Sequence, residues 1–439
     1  MSTATITEHK KFICVEFGAT NNNKVWQYTL YDDGTALTEW GRVGNSLQSK
    51  MTTHSAALKK MREKTNPNNK PDKKYTEVKA VDTGGSVTVS SSSVKSAALK
   101  DIARKQIKSK NPLTQDLIDY CAAVNIHTIM KQSGGQITYD ASSAQFKTPL
   151  GVIAPDQVSE ARNLLVDISD FVNADDFTNR KFASILNQYL RLIPHAVGMS
   201  KITPKLIFPN TQTVVAENDL LDGLDTSFID VTTAKPKKKT AKKKDNTPQV
   251  FNVELELVED QKLISYVRNL YQSTRKAMHQ SNSLSVHAVY TVRIANMAEA
   301  FEKYGAKLSD IRQLWHGTKA SNLLSILKAG LIIPSSSSGH VTGRMYGDGV
   351  YASSVSTKAL NYATNFWGSG GSTDRTFMFL LDMAMGKYYD ALTWGGSYPK
   401  PGTDSTWARA GRALKNDEMI VYRLDQVNLT HLVEFRQRR

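Results

Sequence analysis

Cysteine is almost absent. Only Cys14 and Cys121 occur among 439 residues, in unrelated contexts. Two cysteines exclude a four-cysteine zinc site and argue against a disulfide framework, so a reducing, intracellular setting and no bound metal are expected. Long apolar runs are missing as well: none reaches the ~18–20 residues of a membrane-spanning helix. The opening Met-Ser-Thr-Ala-Thr-Ile-Thr-Glu-His-Lys has no apolar signal core, so neither secretion nor a membrane partner is expected. Two phosphate-binding signatures also fail to appear. No Gly-x-Gly-x-x-Gly follows a strand-like run and there is no Walker-type loop, so a bound dinucleotide would be gripped by something other than a Rossmann crevice; the glycine-rich stretch 368–371 reads as a loop. Acidic residues are outnumbered: 41 Asp and Glu against 56 Lys and Arg leave a formal charge of +15. Such a surplus fits a polyanionic partner, DNA or RNA, and equally a basic surface that binds nothing.

What is present changes character along the chain. A length of 439 residues with 40% hydrophobic content suits two or three domains. Residues 11–50 read as short strands, with Asp33-Gly34 as a hairpin turn. Residues 53–64 read as a helix turning Ala56, Leu58 and Met61 toward that sheet. A Gly/Ser-rich linker follows, from Gly84-Gly85 to Ser90-Ser91-Ser92-Ser93. From about 97 to 230 the apolar spacing becomes helical: Leu113, Leu117, Ile118 and Cys121; Val158, Ala161, Leu164, Leu165 and Ile168; Ile185, Tyr189, Leu190 and Ile193, closed by Pro194. These stripes predict a bundle. The run Lys235-Pro236-Lys237-Lys238-Lys239-Thr240-Ala241-Lys242-Lys243-Lys244 is a solvated linker, a nuclear address or a nucleic-acid patch. Beyond 248 strands and a short helix mix: Phe251 to Val258 alternates with one buried face, 285–292 and 376–381 are strands, and Leu323, Leu324 and Leu327 mark a helix.

Three segments near the C-terminus carry candidate chemistry. His316 sits in Leu-Trp-His-Gly-Thr, Tyr351 in Gly-Asp-Gly-Val-Tyr and Glu418 in Asp-Glu-Met-Ile-Val-Tyr. Breaking a bond at a sugar's anomeric carbon builds positive charge on the ring, and carboxylates stabilise such a state. Glu418 opens a strand, so alternation puts it on one face with Ile420 and Tyr422 while Asp417 points the other way. A flat heteroaromatic ring is suited by aromatic walls, and Tyr351 and Tyr362 lie eleven residues apart. Gly317 lets its backbone come close to a ligand, and His316 offers a donor to a ribose hydroxyl. Taken singly, each is as readily a structural residue or a solvated charge.

In order, these segments resemble the His-Tyr-Glu core of the poly(ADP-ribose) polymerase family. Asn322 after the His-Gly-Thr, Val341-Thr342-Gly343 before the Tyr351 turn, Lys358 with Asn361-Tyr362, and the run from Asp417 to Leu429 match as well. The resemblance implies NAD+ as substrate. It implies that His316 and the backbone of Gly317 hold the ribose and carboxamide, that Tyr351 and Tyr362 sandwich nicotinamide, that Glu418 polarises the reacting groups, and that Thr318 and Asn322 lie toward the adenosine half. Three positions depart from the pattern: Ala359 where a serine hydroxyl is usual, Ile332 where an arginine is frequent, and Arg344 before Met345 where polymer-forming members often carry an aromatic.

The front of the chain resembles the family's WGR domain, through Trp40-Gly41-Arg42, Asn21-Asn22-Asn23-Lys24, the basic Arg62 and Lys64, and Lys74-Tyr75. Residues 1–80 carry thirteen Lys and Arg against eight Asp and Glu, in keeping with phosphate attraction. The resemblance implies DNA ends or nicks as a partner, met by Asn23, Lys24, Trp40, Arg42 and Tyr75; the competing reading makes Trp40 sheet core. Lys147-Thr-Pro149-Leu150-Gly151 with Gln157 resembles the family's regulatory helical domain. The expected fold class is multidomain α+β: a small β-rich WGR module (1–82), a flexible linker (83–96), a regulatory helical bundle (97–230), a basic linker (231–247) and a mixed α/β ADP-ribosyltransferase domain (248–439), without zinc fingers. The expected activity is DNA-break-stimulated transfer of ADP-ribose to proteins, including the chain itself, as polymer. Single-unit transfer, an inactive DNA-end scaffold and an RNA-directed transferase of similar fold are the alternatives. The location implied is the nucleus in a eukaryote, the cytoplasm or nucleoid otherwise.

Overall fold

A computed structural model describes residues 4–16, 22–43, 45–78, 99–140, 145–149, 151–196, 202–227, 249–333, 345–364, 375–393, 395–411 and 414–437. The Gly/Ser and basic linkers, Lys95-Ser96, Asn21, Leu150, Val341 to Arg344 and the stretch 368–371 lie outside these residues.

In chain order come β1 (Ile6–Glu16), β2 (Asn22–Tyr31), β3 (Thr35–Arg42), β4 (Gln48–Thr53), α1 (His54–Thr65), β5 (Thr76–Glu77), α2 (Leu99–Gln106), α3 (Pro112–Gln132), β6 (Thr138–Asp140), β7 (Gln145–Thr148), β8 (Gly151–Val152), α4 (Pro155–Asn173), α5 (Arg180–Leu192), α6 (Pro204–Ile207) and α7 (Thr211–Ser227). Then follow β9 (Val253–Leu257), α8 (Gln261–Thr274), β10 (Leu284–Ile294), α9 (Ala295–Lys303), β11 (Ile311–Thr318), α10 (Leu323–Ala329), β12 (Val350–Ala352), α11 (Ser356–Ala363), β13 (Thr376–Ala384), β14 (Tyr388–Ala391), β15 (Ser405–Ala408), β16 (Glu418–Val421) and β17 (Val427–Gln437). The chain divides into two compact units. One joins Met1–Ser96 to Ile129–Asp225, and the other joins Ala97–Thr128 to Thr226–Arg439.

The first unit begins with a five-stranded sheet in the order β4-β3-β2-β1-β5. The Asp33-Gly34 turn forms as the sequence predicts. Gly34 adopts φ +85°, and Asp33 Oδ1 accepts from Thr35 N at 2.9 Å. Alternation puts Phe12, Trp26, Tyr28 and Leu30 on one face, covered by α1 through Ala57, Leu58 and Met61. Ala56 is exposed and Ala57 buried, one residue out of phase with expectation, because Thr53 caps the helix and His54 starts it. In the helical part Gln157 reaches back to accept from Ala154 N at 2.9 Å, and Asn179 caps α5 by accepting from Lys181 N at 2.9 Å. Val158, Ala161, Leu165 and Ile168 of α4 are buried, as are Ile185, Tyr189, Leu190 and Ile193. Asn187 and Arg191 of α5 donate to Glu16 Oε2 (3.2 Å) and Val15 O (3.1 Å), which fixes the helix on β1.

A buried polar cluster ties this helical part together. Tyr189 Oη donates to Glu217 Oε1 at 2.6 Å, and His195 meets Glu217 Oε2 at 3.1 Å and Ile193 O at 3.0 Å. Both imidazole nitrogens face acceptors, so the ring fits its site as the doubly protonated cation. Burial opposes that charge, but Glu217 and the Ile193 carbonyl outweigh it and hold the pKa above its ordinary value. A raised folded-state pKa contributes stability that is complete below the unfolded value near 6.5 and is lost as pH rises through the folded one. The unfolding midpoint of this unit is therefore expected to fall as pH is raised above about 6.5. His195→Gln should flatten that dependence and cost about 3–5 kcal/mol, the usual penalty for breaking a buried pair. Thermal melts of both proteins across that range check it; an unchanged slope in the variant removes His195 as the cause.

The second unit is built on two sheets. An antiparallel one runs β11-β13-β17-β10-β9, and a second runs β12-β16-β15-β14 with β14 and β15 parallel. The interior strand β13 is buried on both faces. Met378 and Leu380 pack with Trp315, Leu360 and Tyr271 on one side, and Phe377, Phe379 and Leu381 pack on the other. That second side also takes Ile102, Ala103, Ile107, Leu117, Ile118, Cys121 and Ala122 from α2, its end and α3. The α3 stripe, expected within a helical bundle, packs on this antiparallel sheet instead, and Leu113 is 59% exposed. The attachment is polar as well as apolar. Arg375 forms two hydrogen bonds to Glu434 (2.9 and 2.8 Å), reaches Asp116 of α3 at 3.1 Å and lies 4.5 Å from the Tyr120 ring centroid. Gln106 Oε1 accepts from the backbone of Val250 and Phe251. Among the described residues no helix is long and apolar enough to cross a membrane.

Candidate active site

Two backbone junctions place the site. Trp315 and Ser353 exchange N–H···O bonds of 3.0 Å, which joins the middle of β11 to the chain just after β12. β12 then pairs with β16 in the register Tyr351↔Ile420. Helix α11 lies across β11, and Gly317 is what lets it: a Cβ there would sit 1.7 Å from Ala359 O. This glycine is needed for helix packing as well as for any approach of ligand to its backbone.

The junctions border a half-open cavity of about 100 Å³, room for a few waters or one small ring. Trp315, His316, Gly317, Tyr351, Ser353, Lys358, Ala359, Tyr362 and Glu418 line it. Glu418 is 7% exposed. Its Oε1 lies 2.7 Å from Lys358 Nζ and 3.5 Å from Tyr362 Oη, the second at the limit of a hydrogen bond. Lys358 also donates to Asn416 O at 3.2 Å. Burial pulls the Lys358 pKa down and Glu418 pulls it back. Asp417 faces away, as strand alternation requires: Trp407 Nε1 and Ala410 N donate to its two oxygens at 2.8 and 2.7 Å.

His316 differs from its sequence reading. Its Nδ1 faces Tyr351 O at 2.9 Å, and a carbonyl can only accept, so the proton is on Nδ1. Burial holds the pKa below its ordinary value, with the carbonyl a lesser opposing influence. The ring is neutral at pH 7, and the free Nε2 is an acceptor rather than a donor. Tyr351 is fixed by its hydroxyl, which donates to Gly347 O (2.8 Å) and accepts from Tyr346 N (3.0 Å). Tyr362 is 44% exposed and presents its ring at the rim.

His316, Gly317, Tyr351, Tyr362 and Glu418 thus converge. Thr318, the last residue of β11, and Asn322, the residue preceding α10, do not line the cavity. In the sequence Lys358 stands only as part of the motif with Asn361-Tyr362. Its spacing of four from Tyr362 puts both on one helix face, a signal that could have assigned it to the site. No sequence signal marks Ser353, which enters through the backbone junction.

In the first unit, Lys24 and Arg42 are cross-strand partners, and Asn23 O accepts from Val43 N at 2.9 Å. A cleft brings Lys24 together with Lys60, Lys64, Lys73 and Tyr75, and Lys64 Nζ lies 4.2 Å from the Tyr75 ring centroid. Trp40 pairs with Trp26 in register and packs half-buried at the margin of the core. It is therefore partly the core residue of the competing reading, with some of its ring left accessible.

The poly(ADP-ribose) polymerase catalytic domain matches residues 261–437, and the poly(ADP-ribose) polymerase regulatory domain matches 111–254. A poly [ADP-ribose] polymerase of Sarcophaga peregrina is 27% identical over 74% of this chain and 34% of its own length. The protein mono-ADP-ribosyltransferase PARP3 of Homo sapiens is 26% identical over 89% of this chain and 74% of its own. A putative poly [ADP-ribose] polymerase-like 100L of Invertebrate iridescent virus 6 is 31% identical over 33% of this chain and 83% of its own. The chain spans about a third of the length of the first of these relatives.

Proposed function

The chain belongs to the poly(ADP-ribose) polymerase family, and on that premise we propose that it is an NAD+ ADP-ribosyltransferase stimulated by broken DNA. It cleaves the nicotinamide–ribose bond and passes ADP-ribose to proteins, itself included, as polymer. The observation that carries this reading is one cavity holding a buried carboxylate, an acceptor imidazole and two tyrosines. Nicotinamide lies between Tyr351 and Tyr362. His316 Nε2 accepts from a ribose hydroxyl, and Glu418 stabilises the oxocarbenium-like sugar and takes the proton of the incoming hydroxyl. Lys358, 2.7 Å from the carboxylate, holds it in orientation until the acceptor arrives. Ala359 lines the wall without a hydroxyl, so the carboxamide has one partner fewer there. Thr318 and Asn322 serve the adenosine half beyond the cavity.

The proposed layout is a WGR module over 1–82, a regulatory segment over 97–230 and the transferase over 248–439. Single-unit transfer is the second reading. It is favoured by the mono-ADP-ribosyltransferase relative, which pairs with more of this chain than the polymerases quoted above. Incubation with labelled NAD+, with and without nicked DNA and with products resolved by size, tests all of this. DNA-dependent ladders are expected; a single shifted band selects the second reading, and no incorporation removes the transferase.

DNA contact is proposed through Asn23, Lys24, Trp40, Arg42 and Tyr75. Stacking of an aromatic on a base contributes roughly 1–3 kcal/mol. Trp40→Ala is therefore expected to weaken binding to nicked DNA by roughly 5- to 150-fold at fixed salt, while NAD+ turnover without DNA is unaltered. Fluorescence anisotropy across a salt series checks it, and the affinity should fall steeply as salt rises. Unchanged affinity in a folded variant returns Trp40 to the core.

A further inference from the structure

We propose that His279 is a positioning residue for the Lys358–Glu418 pair, clasping together the two backbone segments that carry these side chains. The inference rests on the reading of the site given above. His279 lies in the chain between α8 and β10, outside the cavity. Its Nδ1 is 2.8 Å from Thr357 Oγ1, and its Nε2 is 3.2 Å from Asn416 Nδ2. Thr357 is the immediate neighbour of Lys358 on α11. Asn416 stands two residues before Glu418, and its own carbonyl receives Lys358 Nζ at 3.2 Å. One imidazole therefore spans the two segments whose separation sets the 2.7 Å contact between Lys358 and Glu418.

The surroundings make the clasp stiff. Thr357 is fully buried and Asn416 is 5% exposed, so water does not readily replace the ring. Thr357 Oγ1 also accepts from Lys276 N at 2.9 Å, and Ser281 Oγ lies 2.9 Å from Thr357 O and 2.7 Å from Asn361 Oδ1, so the His279 loop is fastened to α11 at several points. With a neutral ring, Asn416 Nδ2 donates to Nε2 and Nδ1–H donates to Thr357 Oγ1, while Asn416 Oδ1 is buried without a partner among the described groups. Burial, Lys276 and Lys358 all oppose a charge on His279. A proton on the ring would place a second cation beside Lys358 and remove the acceptor that Asn416 uses.

The test compares His279→Ala and His279→Gln with the parent chain. In nicotinamide release from NAD+ with saturating nicked DNA, His279→Ala is expected to lower kcat about tenfold, equivalent to one or two net hydrogen bonds, with KM for NAD+ within about twofold. His279→Gln, which is neutral and can reach Asn416, should recover most of kcat and lose the part of the acid limb of the kcat–pH profile that His279 supplies. A crystal structure of His279→Ala should show Lys358 Nζ and Glu418 separated beyond about 4 Å, the usual limit of an ion pair, and the glutamine variant should restore the contact. An unchanged kcat with an intact Lys358–Glu418 contact overturns the clasp, as does an equal fall in kcat for both variants. If the parent chain releases no nicotinamide, the functional reading fails; the two variant structures still decide whether His279 sets the pair.

Discussion

Glu418→Gln should abolish ADP-ribose transfer, with turnover falling by about 10²–10⁴-fold, the range for loss of a positioned acid–base group. The substitution keeps the shape of the side chain and an oxygen for Tyr362, so the cavity should persist. It removes the charge that faces the developing positive sugar and the basic oxygen that receives the acceptor's proton. Lys358 loses its partner, but burial already holds that ammonium below its ordinary pKa, and it can shed its proton rather than remain an unpaired buried cation. The folded state is therefore expected to survive. Asp417→Asn separates proximity from role. Asp417 is the adjacent residue, yet it accepts from Trp407 Nε1 and Ala410 N on the other side of the strand. Its amide would aim a donor at one of those donors, so the cost should appear in the melting temperature rather than in turnover. Rates of nicotinamide release and thermal melts of both proteins decide it. Near-normal transfer by Glu418→Gln removes Glu418 from the mechanism.

The parts of the site that could be read from the sequence are those set by local geometry. Period-2 alternation is enough to send Glu418 inward and Asp417 outward, and the helical step from Lys358 to Tyr362 puts both on one face. The Asp33-Gly34 turn was readable for the same reason, since only a glycine accommodates φ +85° there without strain. What could not be read depends on partners distant in the chain. The role of His316 follows from the Tyr351 carbonyl, 35 residues away, which fixes the proton on Nδ1 and reverses donor into acceptor. The clasp at His279 joins residues 78 and 137 positions apart. The stripe Leu117, Ile118, Cys121 gives the existence of α3 and its apolar face, but periodicity is silent on which surface covers that face, and the covering surface is the catalytic sheet.

That placement sharpens the expectation for the regulatory segment. We propose that the resting chain restrains NAD+ binding through α3 and that DNA engagement favours the released state. Asn125 Nδ2 of α3 donates to Ser321 O at 2.9 Å, which docks the helix on the short segment between Thr318 and Asn322, where the adenosine half of NAD+ is proposed to lie. Removing residues 97–230 should therefore raise turnover without DNA. A closed state favoured by a few kcal/mol leaves roughly 0.1–10% of molecules open, so the gain should be roughly 10- to 1000-fold. The same deletion strips Leu117, Ile118 and their neighbours from the sheet, at about 1.5–3 kcal/mol for each large apolar side chain, and the shortened chain should melt at a lower temperature. Asn125→Ala avoids that loss. Its Oδ1 is buried without a partner among the described groups, and deleting the side chain removes about one net hydrogen bond, roughly 1 kcal/mol. Turnover without DNA should rise about fivefold, while the DNA-saturated rate stays the same. If Asn125→Ala leaves the basal rate unchanged, and the shortened chain is folded by circular dichroism yet as slow as the unstimulated parent, then α3 completes the core of the catalytic unit and restrains nothing.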